Sequence, residues 1–368
     1  MEQVPVVVIA GGGFAGVEAA IQIRTLRPTL EVTLVSPEPH LIFKPWLIFV
    51  PAGRRRFEEL QIPLAPLAAR HGFRLVSDRL VRIDVDSESV QLASGETIRY
   101  SELILATGAT VDRRRIPGAA EHGLFPCSPS DAAKLASEIQ SRKPRAVCVA
   151  VGWDRRGPGL EFAGWLAARR KRLGVPGLEV TVVDGDGRMA ERYGPKEMKA
   201  IQDILARYGA RILPDTGLDA VVSTGPVIAG KALEFDLTAL VSPARGTDIA
   251  LPAELLDELG YVRVDETFET ARNGVFAFGD VAALPTTVAS SKTMVSIRQH
   301  VELLAKNIVG RIEGQALQRL EPSTEPHYAM LNIGGRALLL KDNALIGQGR
   351  MPLFRRWVYD QSYFRMRT

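Results

Sequence analysis

An apolar strand running into a glycine-rich turn and then a helix constrains this chain more than any other feature. Val4–Ile9 reads as the strand, Gly11-Gly12-Gly13-Phe14-Ala15-Gly16 as the turn, Val17 to about Leu26 as the helix, and Glu31–Val35 as a second strand. Each glycine of Gly11-x-Gly13-x-x-Gly16 has its own task. The first permits the tight turn, the second lets backbone approach a pyrophosphate, and the third lets helix and strand pack closely. The helix N-terminus then favours the phosphate charge. The pattern is weak alone, but here it has the strand before it and the helix after it that the chemistry requires. Phe14 and Ala15 are carried to the same ligand by the turn. At the end of the second strand, either Ser36 or Glu38 offers oxygen to a ribose hydroxyl.

Two further strand ends carry similar chemistry. Leu103–Ala106 runs into Thr107-Gly108, which brings backbone close to a dinucleotide. Val275–Ala277 leads to Gly279-Asp280, where a strand delivers an aspartate, before a helix over Met294–Ile312. Between these segments, Ala146–Val151, a helix over Gly159–Leu173, and Leu178–Asp184 read as a second α/β unit, followed by a helix over Pro195–Tyr208. Strand pairing is expected over Phe73–Asp84, Ser89–Leu92 and Ile98–Tyr100.

Composition sets the bounds. The 368 residues suffice for two domains and a small third region. An apolar share of 46% and a charged share of 24% are ordinary for a globular chain. A net charge of +4 is too mild to argue for nucleic acid. No apolar run reaches the roughly 18 residues a membrane span needs, and the early first strand leaves no room for a secretory signal. A cytoplasmic location is expected, with peripheral attachment to the cytoplasmic face of a membrane as a variant. That variant rests on the last 19 residues, where Arg350, Arg355, Arg356, Arg365 and Arg367 alternate with Phe354, Trp357, Tyr359, Tyr363 and Phe364. Such a segment lies in a membrane interface or docks as a helix on the protein's own body. Cys127 and Cys148 form no Cys-x-x-Cys, and the five histidines show no zinc spacing, so no metal site is expected.

Taken in order, the three strand-end motifs resemble the FAD- and nicotinamide-dependent pyridine nucleotide–disulfide oxidoreductase superfamily. His40-Leu-Ile-Phe-Lys-Pro45, Leu60-Gln-Ile-Pro63, Gly157-Pro-Gly-Leu-Glu-Phe162 and Ser291-Lys292-Thr293 narrow the resemblance to sulfide:quinone oxidoreductase and the flavocytochrome c sulfide dehydrogenase flavoprotein. The resemblance implies an α/β fold with two Rossmann-like dinucleotide-binding domains (three layers, ββα) and a small C-terminal region. It divides the chain into 1–112 and 259–314 as the two parts of an FAD-binding domain, 113–258 as the second Rossmann-like domain, and 315–368 as an interface or membrane-associating region. It implies FAD as cofactor, held by Gly11, Gly13, Phe14, Ala15, Gly16, Ser36, Pro45, Ala106, Thr107, Gly108, Gly279, Asp280, Lys292 and Thr293. Asp280 then contacts the ribityl chain, Pro45 lies near the ring, and Lys292 and Thr293 sit at the pyrimidine end or the quinone pocket. A cation there stabilises anionic reduced flavin.

The departures matter as much. The family takes up sulfide sulfur on a cysteine pair, and those places hold Arg155 and Arg156 before the second-unit helix and Met330 and Leu331 near the C-terminus. Cys127 matches a third family cysteine and stays a catalytic candidate with Lys292 and Glu161, but a lone thiol forms no internal disulfide. Glu161 is either a helix-dipole partner or a proton relay. The loop after Val151 has glycines at 152, 157 and 159, the wrong spacing for a second phosphate turn, so NAD(P)H is a weaker cofactor candidate. Asp184 either meets a ribose hydroxyl or caps a turn beside Gly185. The expected function is two-electron transfer through flavin to a quinone, with the donor open. The alternatives are an NAD(P)H:quinone oxidoreductase of the type II NADH dehydrogenase kind and a non-catalytic FAD-binding sensor or partner protein. A homodimer is an expected assembly, as is common in the superfamily.

Overall fold

The computed structural model describes residues 5–153, 156–241, 243–288, 292–322, 327–350, 353–354 and 363. In chain order, the first half holds β1 (Val6–Ala10), α1 (Phe14–Leu26), β2 (Glu31–Val35), β3 (Arg74–Val76) and β4 (Glu102–Leu105). The middle holds β5 (Gly123–Leu124), α2 (Pro129–Arg142), β6 (Ala146–Val151), α3 (Arg156–Arg169), β7 (Glu179–Asp184), α4 (Pro195–Arg207), β8 (Ala210–Leu213) and β9 (Leu237–Val241). The chain then returns with β10 (Val275–Ala277) and α5 (Met294–Ile312), and closes with β11 (Tyr328–Ile333), β12 (Arg336–Lys341) and β13 (Ala344–Gly349).

Two parallel five-stranded sheets result. The first has the order β10-β4-β1-β2-β3 and the second β5-β9-β6-β7-β8. Alternation along β1 explains the layering of the first. Val7 and Ile9 face the helical layer with Val17, Ile21, Leu304 and Ile308. Val8 and Ala10 face the other side with Leu80, Ile83, Val90 and Leu92 of an antiparallel meander over residues 80–99. The second unit repeats the arrangement: Val147 and Val149 pack with Leu160 and Leu166, while Cys148 and Ala150 pack with Val221 of a smaller meander over 220–232. Each unit is thus three layers, ββα, as expected.

The segment expected as one strand over Phe73–Asp84 is two strands in two sheets. β3 joins the parallel sheet and Leu80–Asp84 the meander, separated by Ser77 to Arg79, where Asp78 accepts from Arg79 N–H at 2.6 Å and Ser94 N–H at 3.1 Å. The region after Gln315 carries an unanticipated three-stranded antiparallel sheet, β11-β12-β13. Its two turns sit at Gly334-Gly335 (φ 60° and 95°) and Asp342-Asn343 (φ 48° and 68°). Two consecutive left-handed residues are what a tight hairpin demands, so the dipeptides were the readable signal. No helix among the described residues is long and apolar enough to cross a membrane, and none of their acidic, histidine or cysteine side chains cluster as a metal site.

Candidate active site

The three glycine-bearing strand ends meet at the N-terminus of α1. Gly11 has φ +117°, and a Cβ there would lie 2.5 Å from the Ala106 carbonyl oxygen, so the β1 turn and the end of β4 are in contact. A Cβ at Gly16 would lie 2.0 Å from the Gly11 carbonyl oxygen, which explains why this turn of helix needs glycine. Gly279 has φ +78°, and a Cβ there would lie 2.5 Å from Ala15 Cβ, which brings the Asp280 turn to the same place. Gly13 caps α1 without a side-chain hydrogen bond, and its Cα faces open space. Uncapped N–H groups at a helix start are an anion site.

The surrounding polar groups match a ligand with phosphates, sugar hydroxyls and a ring. Thr107 Oγ1 is buried with no hydrogen-bond partner among the described residues, an arrangement that calls for an external group. Ser36 is buried at the end of β2 beside Gly12, where its hydroxyl donates to Glu38 O at 2.9 Å. Pro45 opens a 3-10 turn over Lys44–Phe49, and Lys44 Nζ approaches to 3.5 Å of where a Gly108 Cβ would stand. The donor set and the open, uncapped turn fit FAD.

Lys292 and Thr293 lie at the start of α5, next to Asp280. Lys292 Nζ donates to the Asp280 carbonyl at 2.8 Å and sits 3.6 Å from the centroid of the Tyr261 ring. Thr293 caps α5 by accepting from Ser296 N–H at 3.2 Å. A cavity of about 160 Å³ opens here, walled by Phe268, Phe278, Asp280, Lys292, Ile297 and His300. Burial lowers the pKa of the His300 imidazole below its ordinary range.

Glu161 is placed elsewhere, between α3 and β11, where it is buried and accepts from Asn332 N–H at 3.0 Å. The two regions that hold a cysteine pair in the resembled family do converge: a Cβ at Gly157 would lie 3.1 Å from Leu331 Cδ2. Their occupants are aliphatic and cationic, with Leu331 buried and Arg156 turned to Asp186 at 2.5 Å. Arg155 lies outside the described residues. Cys148 is fully buried in β6, its thiol pushed well up by burial, and Cys127 is half-buried before α2, so neither joins the other in a disulfide.

The second unit's turn is built differently. Asp184, at the end of β7, is fully buried and accepts from Met189 N–H at 2.7 Å, with burial raising its pKa. It caps its own turn. Trp153 adopts φ +56°, and its indole comes to 2.8 Å of where a Gly185 Cβ would stand.

Tyr363 was legible only as one aromatic of the basic tail. It is fully buried against Phe14 (ring centroids 4.8 Å) and Phe43 (5.6 Å), and its hydroxyl donates to Glu18 at 3.3 Å. Phe354 is 66% exposed. The remaining tail residues from Arg355 onward, on which the membrane-or-docked alternative turns, lie outside the described residues.

Comparison with known proteins agrees with this geometry. A family model described as "Pyridine nucleotide-disulphide oxidoreductase" matches residues 5–302. The sulfide-quinone reductase of Aquifex aeolicus (strain VF5) is 31% identical over 173 residues, covering 46% of this chain and 40% of that protein. The rhodocoxin reductase of Rhodococcus erythropolis is 28% identical over 298 residues, covering 76% of this chain and 65% of that protein. The chain therefore spans less than two thirds of either relative. Among solved structures, the sulfide:quinone oxidoreductase of Aquifex aeolicus superposes with a TM-score of 0.85 at 21% identity, covering 99% of this chain and 91% of that one. NDH2 of Plasmodium falciparum, solved with NADH, gives 0.82 at 13% identity, covering 98% and 94%. At these identities the likeness is one of fold.

Proposed function

The chain belongs to the pyridine nucleotide-disulphide oxidoreductase family, and from that premise we propose that it is an FAD-dependent oxidoreductase, sulfide:quinone oxidoreductase-like, that delivers two electrons to a quinone. The observation that carries the reading is the contact of Gly279 with Ala15, which joins the Asp280 turn to the open end of α1. In this reading 1–112 and 259–314 form the FAD-binding domain, 113–258 is the second dinucleotide-type domain, and 315–368 is the interface region.

FAD, when bound, supplies reversible two-electron storage. The residues around it bind and orient. Gly11, Gly13, Phe14, Ala15 and Gly16 receive the pyrophosphate, and Ser36 meets the adenosine ribose. Ala106, Thr107, Gly108 and Pro45 line the rest, and Gly279 and Asp280 meet the ribityl chain. Lys292 and Thr293 stand at the electron-rich end of the ring. Lys292, anchored on the Asp280 carbonyl, would set a cationic side chain beside that end of the ring. The aromatic and aliphatic walls of Phe268, Phe278 and Ile297 suit a flat apolar acceptor. With Leu331 and Arg156 where a redox pair would stand, these residues would offer a donor no protein disulfide as relay. Attachment to a membrane surface through the tail brings the site to its quinone.

Anaerobic stopped-flow tests this. Sulfide, a persulfide, NADH and NADPH are each mixed with the holoenzyme, and the bleached flavin is then challenged with a short-chain quinone. The expected outcome is bleaching by a sulfur or other small donor, then reoxidation by quinone faster than by oxygen. Reoxidation no faster than with oxygen ends the reading. Lys292→Ala is expected to slow bleaching roughly hundredfold, measured per bound flavin.

A further inference from the structure

We infer that a basic face, built where residues 54–56 meet residues 169–172, seats the protein on an anionic lipid surface. The inference goes beyond the tail, and it rests on the proposed function in that the quinone is drawn from lipid. The two runs read Arg-Arg-Arg and Arg-Arg-Lys-Arg and lie far apart in the chain. The C-terminal end of α3 brings them together. Arg169 Nε donates to the Ala52 carbonyl at 3.2 Å, and its Nη2 donates to the Gly53 carbonyl at 2.6 Å. A Cβ at Gly53 would lie 2.6 Å from Leu173 Cδ2, so the second run passes beside the first. Lys143 joins them from the end of α2, where its Nζ donates to the Leu173 carbonyl at 3.4 Å.

The charge on this face is only partly answered from within. Glu59 pairs with Arg55 at 3.3 Å and with Arg56 at 3.2 Å. Arg169 and Arg170 turn their donors to backbone carbonyls instead, Arg170 to those of Ala167 and Tyr208. Arg56, Lys143, Lys171 and Arg172 are exposed. Burial, and then the neighbouring Arg172 charge, hold the Arg169 guanidinium below its ordinary value, so the crowding of like charges is felt inside the cluster. Crowded like charges repel one another, and an anionic surface laid against them offsets that repulsion.

The course of the chain favours lipid over an acidic protein as the surface that binds. The Arg54 guanidinium lies 4.0 Å from the Trp165 ring centroid, and that of Arg55 lies 4.1 Å from the Trp46 ring centroid. Ala337 pairs with Gly349, which sets the end of β13 near the Gly334-Gly335 turn, and a Cβ at Gly335 would lie 3.5 Å from Trp165. Arg350 and Phe354, both exposed, follow from there. Tyr363 then packs on Phe43, whose ring is 4.8 Å from that of Trp46. The tail therefore leaves and returns beside rings that carry arginines of this face. Cations flanked by an exposed aromatic ring are what an anionic lipid interface takes up. Trp46 shares its 3-10 turn with Pro45, so a bilayer on this face lies on the side of the turn assigned to the flavin ring.

The test is flotation of the FAD-loaded full chain with quinone-free vesicles of phosphatidylcholine, with and without phosphatidylglycerol. Wild type is expected to float with the anionic vesicles only and to be released by about 1 M salt. The double variant Lys171→Gln, Arg172→Gln is expected to bind the anionic vesicles about 25-fold more weakly, at about fivefold for each charge removed. Lys171→Arg, which keeps the charge, is expected to bind as wild type does. Should the double variant fail to fold, Arg56→Gln supplies the comparison, with an expected loss of about fivefold. Equal binding to both kinds of vesicle, or a double variant that binds as tightly as wild type, overturns the assignment. Wild type that floats with neither also overturns it and leaves an acidic protein as the partner of this face. Because the vesicles hold no quinone, failure here is separate from failure of a soluble short-chain quinone to reoxidise the flavin, a rate the double variant is expected to keep.

Discussion

The two parallel-sheet units share the order of four of their five strands, their layering and their core chemistry, yet the turns after their first inner strands differ. The first turn has glycine at 11, 13 and 16, an uncapped helix start and a buried hydroxyl at Ser36. The second has Trp153 at a left-handed backbone position, Arg156 at the helix start and Asp186 hydrogen-bonded to both. What repeats is what burial dictates: alternating apolar strands must cover both faces of a sheet, and the same layers do so twice. What differs among the described residues is a handful of atoms at one turn. The comparison teaches that a fold repeated within a chain does not repeat its function.

The largest effect that sharpens this contrast is at the third glycine of each turn. Gly16→Val is expected to give colourless protein, because the new Cβ would stand 2.0 Å from the Gly11 carbonyl. Gly159→Val, whose Cβ would stand 2.3 Å from Val151 Cγ1, is expected to cost about 1–3 kcal/mol of stability while flavin absorbance is retained. Equal loss of flavin in both variants would break the contrast.

Tyr363→Ala comes next. It empties a fully buried site against Phe14 and Phe43 of the first unit only, and is expected to cost about 3 kcal/mol in denaturant unfolding. An unchanged midpoint would show that the tail does not brace the flavin half.

Glu102 gives the first unit a pH dependence that has no counterpart at the start of β9, where Leu237 stands. Burial pushes its carboxyl up to about 7, against the partial compensation of Arg311 at 3.2 Å. An acid whose pKa is raised on folding holds more protons folded than unfolded, so stability is full below about 4.5 and falls as pH rises towards 7. The expected loss is of order 1–3 kcal/mol. Glu102→Gln is expected to flatten melting temperature against pH across that window, and a slope as steep as wild type would refute the assignment.

Ser36→Ala is the mildest. Loss of its hydroxyl is expected to weaken FAD binding about fivefold, or about 1 kcal/mol, as read by cofactor titration of apoprotein. Asp184→Ala, at the matching strand end of the second unit, is expected to leave that titration unchanged.

Much of this was legible in the residues. The strand-turn-helix at Val6–Leu26 and the motifs at Thr107-Gly108 and Gly279-Asp280 depend on local glycine geometry and local periodicity. The helix over Met294–Ile312 was readable for the same reason, and its bounds are those found. Other features were missed for identifiable causes. Phe73–Asp84 reads as one segment of a meander although Ser77-Asp78-Arg79 interrupts its apolar residues, and the change of sheet depends on which partners lie alongside. The hairpins at Gly334-Gly335 and Asp342-Asn343 were present as turn dipeptides but flank strands whose apolar faces bury against α3 and α4. Asp186 gave no local signal, since an exposed-looking Asp-Gly turn becomes an internal anion only when Trp153 and Arg156 are brought to it from 30 or more residues away.

By itself the sequence determined the two α/β units and the glycine turn that opens the first, because each rests on neighbours within a few residues. Only the tertiary structure decided that Asp186 meets Trp153 and Arg156, that Leu331 stands against Gly157, and that Tyr363 is buried against Phe14 and Phe43 of the first unit. Those facts depend on side chains distant in sequence meeting in one place. Packing, which joins residues by position in space rather than along the chain, is what brings them together.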